Sequence, residues 1–494
     1  MFSLVDGRCP VGSSRHAIRR LACSLAVLAT ALAAALGAPL DAGAAESVRV
    51  RVASGVLVGS VDSGVAVFKG VPYAAPPVGA LRWMLPQPAP KWSQEHVADD
   101  FGPSCPQRST PRNIPAGSRA TQLNEDCLTL NVWTPQGAHK APVMIWIHGG
   151  GNDGGSSADS YYDGTAFARD GVVLVSLNYR LGEMGFQPHN GEANFGLWDQ
   201  LAALGWVRDN IAAFGGDAAN VTLFGESAGG QDTLALMTAA AARGLFQRAI
   251  AESAGGGWES PPTLQEARAH TDGDWGPVID GHLLKEAPLS AFAAGRAAHI
   301  PLIIGTNSEE GSLLGLDAHA GGFLAKVSKE DLAQLEKIYG PSAADDASLA
   351  RLEFRDGYFA SEARWIAAKV AVAGSPVWLY RFQYVLSALQ GRRSGAYHGS
   401  EIPFVFDHFP PLPTSDDDGR VERALHNCWV AFAKTGKPVC ADAAAWPVFG
   451  GHSPEWMVFD AHPAARPIEG VEALDLLQCR LADPALVAGS CPAK

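Results

Sequence analysis

The chain has 494 residues, 47% of them hydrophobic and 18% charged. That length can bury one large core or two to three ordinary ones, and the composition excludes intrinsic disorder. Lys and Arg number 38 against 51 Asp and Glu, a formal net charge of -13, so nucleic acid is a poor partner, because binding it means neutralising phosphates.

At the N-terminus, Arg8, Arg15, Arg19 and Arg20 form a basic region ahead of an apolar run from Leu21 to Gly37. The run is too short for a comfortable membrane span, and Ala42-Gly43-Ala44 fits a signal-peptidase site. Residues 1–45 are therefore expected to be a signal peptide cleaved near Ala44, with Sec and twin-Arg export both open. The mature chain is expected to be periplasmic or secreted, without a stable membrane anchor. It keeps Cys105, Cys127, Cys428, Cys440, Cys479 and Cys491. An even number of cysteines in an exported chain suggests disulfides. Proximity in sequence suggests Cys428–Cys440 and Cys479–Cys491. No close Cys-x-x-Cys pair is present, so no metal site is expected.

Val48–Val52 and Val65–Lys69 read as short strands. The proline-rich stretch Pro72–Pro90 reads as ordered loop, since Tyr73, Leu81 and Trp83 interrupt it. Continuous apolar runs come next, at Val143–Ile147, Val172–Leu177, Val221–Phe224, Leu302–Ile304 and Val377–Phe382. Such runs suit strands buried on both faces. Leu197–Phe214 and Ala228–Leu245 carry helical patterns. Strands alternating with helices predict an α/β fold with a mostly parallel sheet covered on both sides. No boundary interrupts residues 46–494, so a single domain is expected.

Gly225-Glu226-Ser227-Ala228-Gly229 is a G-x-S-x-G segment. It is weak evidence alone, but it sits between an apolar strand and an Ala-rich helical stretch. That is the strand–turn–helix setting of a nucleophile elbow, with small residues where the turn is tight. His148-Gly149-Gly150-Gly151 comes after another strand, and glycine N–H groups there could stabilise an oxyanion, together with Ala228. A serine hydroxyl needs a base. His398 lies in a small-residue loop after Val377–Phe382, and Glu309-Glu310-Gly311 comes after Leu302–Ile304. The order serine, acid, histidine is the one such a fold uses. These residues alone leave Glu309 and Glu310 as rival acids. His148 lies beside the glycine run and reads as structural.

The chain resembles the type-B carboxylesterases, the cholinesterase-like branch of the α/β-hydrolases. The likeness is carried by Phe68-Lys69-Gly70-Val71-Pro72-Tyr73-Ala74 and by Glu125-Asp126-Cys127-Leu128. It continues through Asn178-Tyr179-Arg180, Asn194-Phe195-Gly196-Leu197, Asp199-Gln200, Phe214-Gly215-Gly216-Asp217, Phe224–Gly230 and His398-Gly399-Ser400-Glu401-Ile402-Pro403. The resemblance implies Ser227 as nucleophile, His398 as base and Glu310 as orienting acid. It implies Gly150, Gly151 and Ala228 as oxyanion-hole positions, a Cys105–Cys127 disulfide, Glu226 as an acidic neighbour and Ser253 as a second buried serine. Glu226, Asn152 and Trp258 are expected to contact substrate.

Three features depart from the family pattern. Asn152 stands where an aromatic residue is common, Ala218 where proline is, and the interval from Ser227 to Glu310 is short. The short interval predicts an open site that accepts bulky esters, unless Ala158–Thr165 or Leu313–Lys326 fold over it. The expected activity is ester hydrolysis through an acyl-enzyme on a small-molecule ester, with no cofactor required. A catalytically silent binding protein and an acyl hydrolase for amides, thioesters or lactones are the alternatives. The physiological ester and the oligomeric state are left open.

Overall fold

A computed structural model describes residues 46–108, 111, 113–258, 260–269, 275–314, 327–450, 455–487 and 491. The proposed signal peptide and most of Leu313–Lys326 lie outside the described residues. Ser47–Lys494 forms one compact unit.

Among the described residues its frame is a sheet of thirteen strands. They are β1 (Glu46–Val52), β2 (Gly55–Asp62), β3 (Val65–Pro72), β4 (His96–Val97), β5 (Thr129–Pro135), β6 (Ala141–Ile147) and β7 (Val173–Leu177). The rest are β8 (Gly216–Glu226), β9 (Arg248–Glu252), β10 (Leu302–Asn307), β11 (Val377–Phe382), β12 (Glu455–Phe459) and β13 (Ala464–Pro467). The order is β1-β2-β3-β5-β7-β6-β8-β9-β10-β11-β12-β13, with β4 beside β2. The centre, from β7 to β12, is parallel throughout. Antiparallel pairs occupy the margins.

The apolar runs become the central strands because both of their faces are covered. In β6, Val143, Ile145 and Ile147 enter one core while Met144 and Trp146 enter the other. In β11, Val377 and Leu379 face the first core, and Trp378, Tyr380 and Phe382 face the second. Side chains of a strand alternate between faces, so a run without polar breaks needs helices on both. Phe195–Asn210 and Ser361–Val372 contribute to the first core, and Asp416–Thr435 to the second. The predicted helix from Ala228 ends at Thr238 rather than Leu245, because Ala239 is already extended at ψ 125°. The chain must turn there to deliver β9, a strand the sequence does not announce.

Disulfides join Cys105 to Cys127, Cys428 to Cys440 and Cys479 to Cys491. Between β9 and β10 the described residues hold two helices of six residues each, Leu264–Ala269 and Pro288–Ala293.

Candidate active site

Two parallel neighbours, β6 and β8, end side by side, with Ile147 paired to Gly225. The turns that leave the two strands therefore meet at the same edge of the sheet. After β8 the chain reverses sharply through Ser227, at φ 57° and ψ -126°, and enters the helix Ala228–Thr238. Such a conformation costs a non-glycine residue about 1–3 kcal/mol. It is held by the Ser227 N–H, which donates to the Glu252 carbonyl at 2.9 Å. The flanking glycines are required by space. A Cβ on Gly229 would stand 2.0 Å from the Ile147 carbonyl oxygen, and one on Gly225 would stand 2.5 Å from the Gly229 carbonyl.

After β6 comes the glycine run. A Cβ on Gly149 would lie 2.7 Å from the Glu226 carbonyl oxygen and 3.0 Å from Ser227 Cβ, so only glycine lets the run pass this close to the elbow. His148 is buried and stacks on Tyr179 at 4.7 Å. Burial lowers its pKa to about 4, so it stays neutral.

β10 ends at Asn307, and a 3-10 turn starts at Glu310. Glu310 is wholly buried. Its Oε1 accepts the Ser253 hydroxyl at 2.6 Å and the Asn307 N–H at 2.7 Å. Its Oε2 lies 2.6 Å from His398 Nδ1. His398 arrives on the loop after β11, where its N–H donates to Ser312 Oγ at 3.0 Å. Glu309 turns the other way and is bound by Arg351 Nε at 3.1 Å. Of the rival acids, Glu310 meets the histidine.

The far ring nitrogen of His398 faces a second carboxylate. Nε2 lies 3.0 Å from Glu226 Oε1. This is a charge contact rather than an aligned hydrogen bond, since that oxygen has no hydrogen-bond partner among the described residues. Burial opposes the imidazolium, but the charges of Glu226 and Glu310 outweigh it and raise the His398 pKa. Burial pushes Glu226 up to about 7, against the pull of His398. Behind them Glu252 accepts Trp429 Nε1–H at 2.8 Å, and Glu401 is bound by the Asn307 amide. Burial raises both carboxyls, Glu401 to about 8. Ser227 Oγ makes no hydrogen bond among the described residues, so the structure joins histidine to acid but leaves the serine unpaired.

The carboxylesterase family model matches residues 46–272 and 259–473. The chain belongs to the carboxylesterase family. It is 34% identical to a fumonisin B1 esterase of Sphingopyxis macrogoltabida, over 90% of this chain and 93% of the relative. It is 35% identical to a para-nitrobenzyl esterase of Bacillus subtilis, over 82% of this chain and 94% of the relative. Among solved structures, a carboxylesterase of Geobacillus stearothermophilus superposes with a TM-score of 0.76 at 31% identity, covering 87% of this chain and 100% of that one. These findings carry the α/β-hydrolase fold and carboxylic-ester hydrolysis.

Within this carboxylesterase two residues expected to contact substrate are committed elsewhere. Asn152 is 2% exposed. Its Nδ2 donates to Asp232 Oδ1 at 3.1 Å, and Tyr179 Oη lies 3.1 Å from its Oδ1. A buried amide without partners is costly, so the side chain turns inward rather than standing at the entrance. Trp258 is buried and donates to the Gly357 carbonyl at 2.8 Å, packing edge-on against Trp365. It is a core residue. Tyr162, from one of the two segments whose folding over the site is the alternative to an open one, packs on Trp146 at 5.0 Å. The open space lies elsewhere: a cavity of about 700 Å³ lined by Gln231, Leu234, Gly256, Pro261, Trp275 and Phe292. Gln231 is one helical turn beyond Ser227.

Proposed function

We propose that Ser227 is the nucleophile of this esterase, His398 its general base and Glu310 the carboxylate that orients the base. The observation that carries this reading is the Glu310–His398 contact at 2.6 Å beside a serine held in a strained turn. Glu310 fixes Nδ1 as the protonated nitrogen, which leaves Nε2 to act as base. In the first step Nε2 exchanges Glu226 for Ser227 Oγ and takes its proton as Oγ attacks the ester carbonyl. The N–H groups of Gly150, Gly151 and Ala228 receive the oxyanion. His398 then protonates the departing alcohol, and water repeats the cycle on the acyl-enzyme. Glu226 offsets the positive charge that His398 carries in between.

The relatives' names span fumonisin B1, para-nitrobenzyl esters and phenmedipham, so family membership leaves the substrate open. The cavity beside the nucleophile helix favours a small-molecule ester with a bulky group. Residues 1–45 direct export in this reading, which agrees with three disulfides in one chain.

The test is Ser227→Ala. Turnover of 4-nitrophenyl butyrate should fall by about 10⁴-fold or more, and a fluorophosphonate probe should no longer label the folded protein. Retained turnover would overturn the assignment.

A further inference from the structure

A run of glycines is a poor way to hold hydrogen-bond donors still. Glycine has no side chain to anchor and the widest conformational freedom. Oxyanion stabilisation needs donors already in place before charge develops. Gly150 and Gly151 adopt φ of 110° and 65°, and neither N–H has an acceptor among the described residues. Something outside the run must fix them.

Both ends of the run are tied. At its start, Tyr179 Oη lies 3.0 Å from the His148 carbonyl oxygen. At its end, the Asn152 carbonyl accepts the Gly182 N–H at 2.7 Å. Asn152 itself sits at φ 57°, which asparagine tolerates. Its Oδ1 shares the proton of the same Tyr179 hydroxyl, so one phenol bridges the two ends. Its Nδ2 reaches Asp232, on the helix that begins directly after Ser227. The other Asp232 oxygen accepts Gln200 Nε2–H at 2.6 Å. Asp232, Gln200 and Tyr179 are fully buried, and among the described residues the carboxyl is met by two amides and by no cation. An acid sealed in this way, with a pKa lifted to about 7 by burial, is an expensive element to keep in a helix that has no other charged residue.

We infer that Asp232 is a positioning residue of the esterase reaction: through Asn152 it locks the glycine run to the nucleophile helix and so sets where the oxyanion donors stand relative to Ser227. The inference rests on the proposed nucleophile and oxyanion hole. The tether runs from Gly151 through Asn152 and Asp232 to the helix and back to Ser227, and the Gln200 amide keeps the carboxyl from turning away.

The decisive variants reverse the polarity of one hydrogen bond. In Asp232→Asn one of the two facing amides meets a donor instead of an acceptor. In the double variant Asp232→Asn with Asn152→Asp, the new amide donates to the new carboxylate and every bond of the network has a donor and an acceptor again. Displacing reacting groups by fractions of an ångström costs about 10–100-fold. With 4-nitrophenyl butyrate, Asp232→Asn should therefore lose about that factor in kcat while KM changes by about twofold or less. Its affinity for an alkyl trifluoromethyl ketone, which forms the tetrahedral adduct, should weaken in proportion. The double variant should regain kcat to within about threefold of the parent. Tyr179→Phe, which removes the bridge without changing volume, gives a second reading if Asp232→Asn folds poorly. The inference is overturned if folded Asp232→Asn and Tyr179→Phe keep parental kcat, or if the double variant stays as slow as the single one. If Ser227→Ala retains turnover, the reading beneath it fails instead, and this one falls with it.

Discussion

The two surroundings of Ser227 are built in opposite ways. On the side of β6 and β8 the backbone is packed to its limit. Gly225 and Gly229 have no room for a methyl group, and the glycine run touches the elbow. On the other side, between β9 and β10, the described residues hold two six-residue helices and border a cavity of about 700 Å³. In the proposed reading the first side sets the geometry of bond making, where small displacements are costly, and the second sets only how much substrate fits, where looseness is tolerated. Machinery and substrate space should then be separable, each open to disturbance without the other.

The largest disturbance strikes the packed side. Gly229→Ala forces a Cβ to within 2.0 Å of the Ile147 carbonyl oxygen, a backbone atom that cannot swing aside. The elbow must open, at a cost of about 3 kcal/mol or more. Thermal unfolding and turnover should both collapse. A variant with parental melting temperature would show that the packed side has slack after all.

A smaller blow separates chemistry from packing. Glu310→Gln keeps shape but removes the charge that orients His398, so kcat should fall about 10³–10⁴-fold. Glu309→Gln, which weakens its pairing with Arg351 and removes a charge that also acts on Arg355, should stay within about threefold. Equal losses would erase the distinction between the two acids.

Glu226 sharpens the comparison through pH. His398 can accept a proton only when neutral, and the Glu226 carboxylate 3.0 Å away favours the charged ring. With His398 as the proposed base, that raised pKa should hold the acid limb of the kcat/KM profile above the usual histidine range. Glu226→Gln removes a negative charge, lowers the histidine pKa and should move the limb to lower pH by about one unit or more. Steady-state kinetics across the limb measure this directly, and an unmoved limb would remove Glu226 from the proton's path.

How far the sequence reveals each side obeys the same division. The elbow and glycine run are legible because close backbone approach demands particular residues at particular places. The parallel strands are legible where both faces are apolar, as in Val377–Phe382. β9 escapes notice because Arg, Ala and Glu in Arg-Ala-Ile-Ala-Glu carry no strand preference, and its pairing between β8 and β10 decides its state. Glu309 and Glu310 differ only in which way a turn aims them, which no residue pattern specifies. Asp232 stands out in its apolar helix, but its partners Asn152 and Gln200 are 80 and 32 positions away in the chain. Asn152 looks like an entrance residue until that carboxyl draws it inward.

The mildest disturbance belongs to the open side. Ala267 lines the cavity from the short helix Leu264–Ala269, where it is buried beside Ala193 and Val278. Ala267→Phe adds a ring to that space while leaving the catalytic geometry alone. A ring displaces apolar contact that a bulky ester would otherwise make, at about 25 cal/mol per Å². The loss of one or two such contacts corresponds to about tenfold in kcat/KM for a bulky ester. A short ester such as 4-nitrophenyl acetate does not reach the wall and should react at the parental rate. The ratio of the two kcat/KM values, measured on one preparation, cancels any small change in the fraction of active enzyme. A fall in the ratio with acetate turnover intact assigns the cavity to the substrate. A parallel fall for both esters would mean that the open side supports the packed one after all, and the two halves of the site would have to be read as a single unit.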